Sequence, residues 1–302
     1  MFMNLSVIIP VYNQENIISK VLDSLINQNI QKNKYEIIIV DDGSTDKTWK
    51  ILESFKEKTE NSFFILKTIS LHGKGIARNF GIKKAQNEIV VLLDGDIIAS
   101  KNLLINHLEW HQKFYKKNFA MVGNVTWASQ LKITPFMYWL EHGGGQLDFD
   151  SLKHKQEIDY KHFYTGNTSF KRDFLLKNGL FDEDFGREMY EDLELAYRLQ
   201  NKGLKIFYNK NAQAYHHHQT DSQKYSKRMI RVGKGAKILF DKHPELKNKV
   251  AFSRFTFRTI LNQVFSPIYF IIGKFFKNSK WMGYYYNAKF FRIYMNGYRK
   301  YD

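Results

Sequence analysis

Asp94, Gly95 and Asp96 follow directly on the apolar run Val90-Val91-Leu92-Leu93. Two carboxylates one residue apart at the end of a buried strand repel each other unless positive charge or open water separates them. A metal ion, a pair of basic side chains and solvent are the three ways to relieve that repulsion. A second acidic pair, Asp41-Asp42, closes another apolar run and leads into Gly43-Ser44-Thr45-Asp46. One acid there would be a helix cap, and Asp46 reads as one; a pair exceeds what capping requires. A third pair, Glu191-Asp192, opens a helical stripe of Leu193, Leu195, Ala196 and Leu199 that stops at Gly203. At that position the helix dipole stabilises an anion. Three histidines follow the strand-like KIFYN, and alternation along a strand places His216 and His218 on one face and His217 on the other.

The elements that must position these groups alternate in type. Short β-branched runs occur at LSVIIP, EIIIV, FFILKT and EIVVLL, and amphipathic stretches lie between them, such as Ile17, Val21, Leu22, Leu25 and Ile26. Strand–helix alternation with continuous apolar strands predicts an α/β fold, a mostly parallel sheet covered by helices on both faces. Ligands of such sheets bind beyond the carboxyl ends of the strands. The acidic pairs and the Pro10-Val11-Tyr12-Asn13 end of the first strand all fall at that edge. From 119 to 163 the pattern loosens, and the reading is a mixed region with long loops.

With 302 residues, 43% apolar and 25% charged, the chain has the composition of a globular protein. It contains no cysteine, which excludes a disulfide framework and any thiolate metal site. The beginning MFMNLSVIIPVYN has no basic n-region and no small-residue cleavage site, so a cytoplasmic protein is expected. The net charge of +16 implies an anionic partner, and residues 251–302 hold nine Lys/Arg, Arg254 and Lys277 among them, against Asp302 alone. The best apolar run of that tail, residues 264–272, is interrupted by Ser266 and Pro267 and is far short of the ~20 residues of a membrane span. Aromatics interleaved with cations suit a helix lying in an anionic membrane interface, or else helices that bury their aromatics as core.

In order along the chain, VIIPVYN, IIIVDDGSTDKT, GKGIARNFGI, LLDGDI, GNTSF and EDLELAYRLQNKG resemble the motifs of the family 2 glycosyltransferases, over roughly residues 5 to 220. The resemblance implies the Rossmann-like GT-A fold and inverting transfer of a sugar from a nucleoside diphosphate sugar, a UDP-sugar foremost. It implies that Pro10, Tyr12, Asp42 and Arg78 line the nucleotide pocket, with Lys74 at the phosphates. Tyr12 would offer a ring face to the base, and Asp42 an acceptor for a uracil N3–H. Asp96 would ligate a divalent cation, Mn²⁺ or Mg²⁺. Asp94 would lie nearer the nucleotide and also contribute to the metal site, with Gly95 the variable middle residue. A histidine, His216 or as second choice His218, would complete the coordination. Asp192 matches the base that deprotonates the acceptor hydroxyl, with Glu191 orienting it or the acceptor. Trp127, Gly166 and Asn167 would line the sugar and acceptor side.

The expected organisation is a catalytic domain over residues 1–220, its nucleotide half about 1–100 and its acceptor half about 101–220. A basic, aromatic helical extension over 221–302 would follow. The expected partners are the sugar donor, a glycan or lipid-linked saccharide acceptor and an anionic membrane surface, with the protein peripheral at its cytoplasmic face. A nucleic-acid-binding protein using the basic tail is one rival, set back by acids where a phosphate backbone would lie. A nucleotidyltransferase is another, lacking the Gly-rich phosphate loop at the first strand's end. A processive polysaccharide synthase lacks its spanning helices and its Gln-x-x-Arg-Trp motif.

Overall fold

The computed structural model describes residues 3–57, 59, 62–67, 73–250, 257–275 and 279–300. Arg254, Lys277 and Asp302, counted above in the charge of the tail, lie outside the described residues. Strands β1 (Leu5–Val11), β2 (Tyr35–Asp41), β3 (Ser62–Lys67) and β4 (Ile89–Leu93) form the parallel half of a sheet in the order β3-β2-β1-β4. Helices α1 (Ile18–Ile26), α2 (Thr48–Lys56) and α3 (Lys74–Lys84) make the crossovers. Every residue of β1, β2 and β4 is buried, which is why these strands read as unbroken apolar runs and not as alternating ones. The register pairs Val11 with Asp41, so β1 and β2 end flush.

Beyond β4 the sheet is mixed. β8 (Asn167–Lys171) runs antiparallel to β4, and β6 (Phe119–Trp127), β9 (Lys205–His216) and β5 (Ile97–Ala99) follow. The short β7 (Glu157–Ile158) pairs with β9. The region 119–163, read as mixed with long loops, holds the nine-residue β6, a helix over Pro135–Glu141 and a stretch without helix or strand over 142–156. Gly123, Asn124 and Thr126 break up the apolar pattern of β6, and the reason lies in its partner. The parallel β6–β9 register jumps from Gly123↔Asn209 to Asn124↔Gln213, so β9 bulges by residues 210–212.

A buried polar chain closes that bulge. The Asn167 amide nitrogen donates to the carbonyls of Asn124 at 3.1 Å and Ala212 at 2.9 Å. A Cβ on Gly123 would lie 2.3 Å from that nitrogen, so only glycine allows the approach. With its nitrogen so used, Asn167 Oδ1 accepts from His107 Nε2, at 2.9 Å on α4 (Leu103–Lys113). His107 Nδ1 then accepts from the Ser169 hydroxyl at 2.8 Å, and Ser169 Oγ in turn accepts from His111 Nε2 at 2.8 Å. This proton order requires a neutral His107, because its Nδ1 must accept. Burial pushes His107 down to about 4 against the pull of its Asn167 bond, and burial, then the charges of Lys171 and His107, hold His111 well below the usual range.

Two compact units divide the chain. The sheet unit comprises Met1–Leu131, Ser151–Gly186 and Glu191–His218, and includes α6 (Arg172–Asn178) and α7 (Glu191–Gln200). The other comprises Lys132–Asp150, Arg187–Tyr190 and Gln219–Asp302, with α5 (Pro135–Glu141), α8 (Ser222–Lys242), α9 (Phe257–Phe275) and α10 (Ser279–Arg299). Within it α8 and α10 cross at backbone contact. A Cβ on Gly233 would lie 2.1 Å from the Tyr294 carbonyl oxygen, and one on Gly297 2.2 Å from that of Ile230. Phe136, Trp139, Tyr225, Tyr286 and Phe290 pack ring on ring beside that crossing.

The His107 chain has a consequence for stability. An unfolded histidine takes a proton near pH 6.5 but folded His107 only near 4, so its stabilising contribution is complete above pH 6.5 and is lost as the pH falls toward 4. On the order of 3 kcal/mol is at stake. Thermal melts should show the melting temperature falling from pH 6.5 to 5, and His107→Gln, which still donates to Asn167 but does not titrate, should flatten that slope. An unchanged slope in the variant would refute the assignment.

Candidate active site

The loops after β1 and β2 are stitched together at the carboxyl edge. Asn13, at φ +51°, accepts from the Thr45 N–H at 2.9 Å, and its own N–H donates to Ser44 Oγ at 2.9 Å. Asp46 accepts from the N–H of Thr48 at 2.9 Å and of Glu15 at 3.1 Å, while the N-cap position of α2 falls to the next residue, Lys47. Pro10 lies within β1, and Tyr12, one residue beyond it, is 45% exposed. Asp42 is buried and accepts from the Gly73 N–H at 3.3 Å, at the point where α3 begins. A Cβ on Gly73 would lie 2.0 Å from the Gly186 carbonyl oxygen, so this glycine lets two backbones touch.

From that fixed start, Lys74 and Arg78 extend from successive turns of α3 to one carboxylate. Lys74 Nζ lies 2.9 Å from Asp94 Oδ2, and Arg78 Nη2 lies 2.6 Å from Asp94 Oδ1. Arg78 Nη1 reaches Glu191 Oε1 at 3.3 Å, and the guanidinium sits 5.3 Å from the Phe181 ring centroid. Far from a surface arginine, Arg78 is 1% exposed. Burial opposes its charge, yet Asp94, Glu191 and Asp192 outweigh burial and raise its pKa. The same balance acts on Asp94: burial works to raise its pKa, but Lys74 and Arg78 hold it below the carboxylate range.

Asp96 has different company. His216 Nε2 lies 3.3 Å and His218 Nδ1 3.8 Å from Asp96 Oδ2, and the ligand atoms of the three residues lie within 4.8 Å of one another. The antiparallel β5–β9 ladder builds this group by pairing Ile97 with His216, and the His217 N–H donates to the Asp96 carbonyl at 2.8 Å. Trp127 stacks on His216 at 5.2 Å, and His218 stacks on His216 at 5.7 Å. Among the described residues, the buried Asp96 Oδ1 and His216 Nδ1 have no hydrogen-bond partner. A carboxylate and two imidazoles grouped in this way, with the second Asp96 oxygen left unpartnered, fit a divalent cation; the imidazoles favour Mn²⁺ over Mg²⁺. Burial works to raise the Asp96 pKa, but His216 foremost, then Lys74 and His218, holds it below the carboxylate range.

The structure thus brings Asp96, His216 and His218 together and gives both oxygens of Asp94 to cations. Gly95 between them leaves room that a Cβ would fill, 3.0 Å from Val11 Cγ1 and 3.1 Å from the Pro10 carbonyl oxygen. Glu191 and Asp192 open α7, which Arg198, oriented by Glu194 of the same helix at 2.8 Å, ties to the Leu180 carbonyl at 2.6 Å. On the sugar side, Trp127 is buried against His216, and Asn167 is fully buried and committed to the β9 bulge. Gly166 is one step past the Leu93↔Asn167 pair, beside the end of β4. Phe181, Gly186 and the His107 chain had no signal in sequence spacing, because each acts through a partner distant in the chain.

Replacing Arg78 would strand buried carboxylates on both sides. Urea unfolding of Arg78→Met should show a loss of about 3–5 kcal/mol, and Arg78→Lys should recover only part, since an ammonium cannot span Asp94 and Glu191 as a guanidinium does. A loss within the scatter of ordinary surface substitutions would show that the cluster does not hold the site together.

The chain is 44% identical over 116 residues to the poly(ribitol-phosphate) beta-glucosyltransferase of Bacillus spizizenii, over 38% of this chain and 18% of that one. The chain therefore spans about a fifth of the length of that relative. Its fold is similar to a mannosyltransferase of Pyrobaculum calidifontis solved with GDP-Man and Mn²⁺, at TM-score 0.67 and 17% identity over 99% of this chain and 87% of that one. It is also similar to residues 1–349 of S. aureus TarS in complex with UDP, at TM-score 0.56 and 18% identity, covering 99% of this chain and 91% of that one. The expected GT-A architecture is the one observed. The family model described as Glycosyl transferase family 2 matches residues 6–175, more than half of the chain, and the chain belongs to that family.

Proposed function

We propose that this chain is an inverting, metal-dependent glycosyltransferase. It moves a sugar from a nucleoside diphosphate sugar, a UDP-sugar foremost, to a hydroxyl of a glycan or lipid-linked saccharide in cell-surface polysaccharide synthesis. The observation that carries this reading is the Asp96, His216 and His218 group beside the ion cluster of Lys74, Arg78, Asp94 and Glu191, at the strands' carboxyl edge. The resemblance to an enzyme named for poly(ribitol-phosphate) glucosylation and to a UDP complex supports the acceptor class and the donor. The reaction is placed in the cytoplasm, at the face of a membrane.

The residues divide the work. A divalent ion held by Asp96, His216 and His218 would supply positive charge to the leaving diphosphate. The Lys74 ammonium is 56% exposed while tethered to Asp94, so it can turn to a phosphate without leaving its carboxylate. Tyr12 presents a ring to the base, and Asp42, held at the start of α3, accepts from its N–H. Asp192 takes the proton of the acceptor hydroxyl as that oxygen bonds to the anomeric carbon. The bond from that carbon to the diphosphate breaks on the opposite face, and its electron pair leaves with the nucleotide. Glu191, buried against Arg78, keeps Asp192's turn of helix in place.

Calorimetric titration with UDP, GDP and dTDP, each with and without Mn²⁺, tests the donor site. One nucleotide should bind with Mn²⁺ and lose that dependence in Asp96→Ala; binding of none would remove the reading. Asp192→Asn should keep nucleotide binding while turnover falls about 10²–10⁴-fold. Turnover near wild type would take Asp192 out of the role.

A further inference from the structure

We infer that the outward face of α9 is a membrane-binding surface that seats in the interface of an anionic bilayer. The inference gives the membrane location proposed above a specific face, and it is argued without reference to the transfer reaction. α9 packs on α10 along one side only. Gln263 Nε2 donates to the Ala288 carbonyl at 2.7 Å, and Phe270 meets Tyr285 with ring centroids 4.9 Å apart. Gly273 lies against Met282 on the same side.

The opposite side of α9 is apolar and faces water. Leu261, Val264, Phe265, Ile268 and Ile271 recur at helical three- and four-residue steps, with Val264 66% and Ile271 64% exposed. A soluble helix places such a stripe inward, so an outward stripe of this size marks a surface that is covered in use. Cations lie along the side of α9 that meets α10: Lys274 is exposed and sits over the Phe270 ring, and a groove at Gln263 is lined by Arg292 and Arg299 together with Phe291, Ile293 and Met295. Residues 257–300 contain no Asp or Glu, and residues 219–302 hold 18 Lys/Arg against four acids.

The occupant must therefore be apolar and anionic at once. A second copy would supply the apolar surface but would face like charge with like. A polyanionic glycan would satisfy the cations but leave Val264, Ile268 and Ile271 in water. A bilayer with acidic headgroups meets both demands, acyl chains against the stripe and phosphates against the cations. Spanning is not the mode: no described helix is long and apolar enough to cross, and Pro267 interrupts α9.

The test is flotation of the full chain with vesicles of phosphatidylcholine alone and of phosphatidylcholine with equimolar phosphatidylglycerol, without nucleotide or acceptor. The wild type should float with the acidic vesicles and stay behind with the neutral ones. Val264→Glu with Ile271→Glu alters only solvent-facing positions, so helicity and melting temperature should hold while vesicle affinity falls about 100-fold or more. Lys274→Gln with Arg299→Gln should weaken binding about fivefold per cation. Absence of wild-type binding, or binding undiminished in the glutamate pair, overturns the inference. So does self-association that the glutamate pair abolishes without any vesicle binding, or binding to polyphosphate alone. The vesicle experiment and the nucleotide titration share no reagent, so either reading can fail while the other stands.

Discussion

A single buried guanidinium sets the geometry of this site. Among the described residues, Arg78 alone touches both Asp94, at the end of the parallel sheet, and Glu191, at the start of α7, and no strand pairing connects those two places. The adjacent residue completes the connection: Asn79 donates to the Phe181 carbonyl at 2.9 Å and accepts from the Phe181 N–H at 2.9 Å. Two neighbouring side chains of α3 therefore hold the segment that carries Glu191 and Asp192. A buried ion cluster contributes little net stability, because desolvation consumes most of the Coulombic gain. What it contributes is position, since the carboxylates are tolerable only where the guanidinium can reach them.

The paired aspartates illustrate how a two-residue spacing can separate two tasks. The Ile97 N–H donates to the Asp94 carbonyl at 3.1 Å, which turns the chain at Gly95. The turn rests on the end of β1, and the two carboxylates diverge, Asp94 toward α3 and Asp96 toward β9. The repulsion expected between neighbouring acids is relieved on each side by different means, ammonium and guanidinium for one and imidazole for the other. The imidazole side depends on the β9 bulge, because three extra residues before Gln213 set which residue of β9 stands opposite Ile97. The buried Asn167–His107 chain thus bears on the position of His216 through the strand, without touching it.

The parallel half of the sheet and its acidic strand ends were legible because each depends on local pattern: a continuous apolar run, then a polar end. Alternation placed His216 and His218 on the same side, and the family resemblance supplied Asp96 as their companion. β6 was not legible. Its polar residues belong to the bulge it pairs with, more than eighty residues away, and no periodicity within the strand reports that partner. The resemblance pointed to Asn167 and Trp127 on the sugar side, but not to the bonds of Asn167 in the β9 bulge or to the stacking of Trp127 on the His216 ring. Side chains whose partners are remote in the chain are invisible to any window-based reading.

The C-terminal helices make the same point about composition. Aromatic and basic residues are mixed throughout the tail, so sequence alone left open whether they form a core or meet a membrane. The structure divides buried from exposed residues by helix. On α10, Phe290 and Tyr294 are buried, and backbone contact at Gly233 and Gly297 ties that helix to α8. On α9 the large apolar residues face outward. The high positive charge follows the same division, falling almost entirely on residues 219–302, while the site unit gathers acids at its strand ends. A phosphate backbone would satisfy that charge but leave the exposed Leu261, Val264, Phe265, Ile268 and Ile271 of α9 in water, whereas acyl chains would cover them.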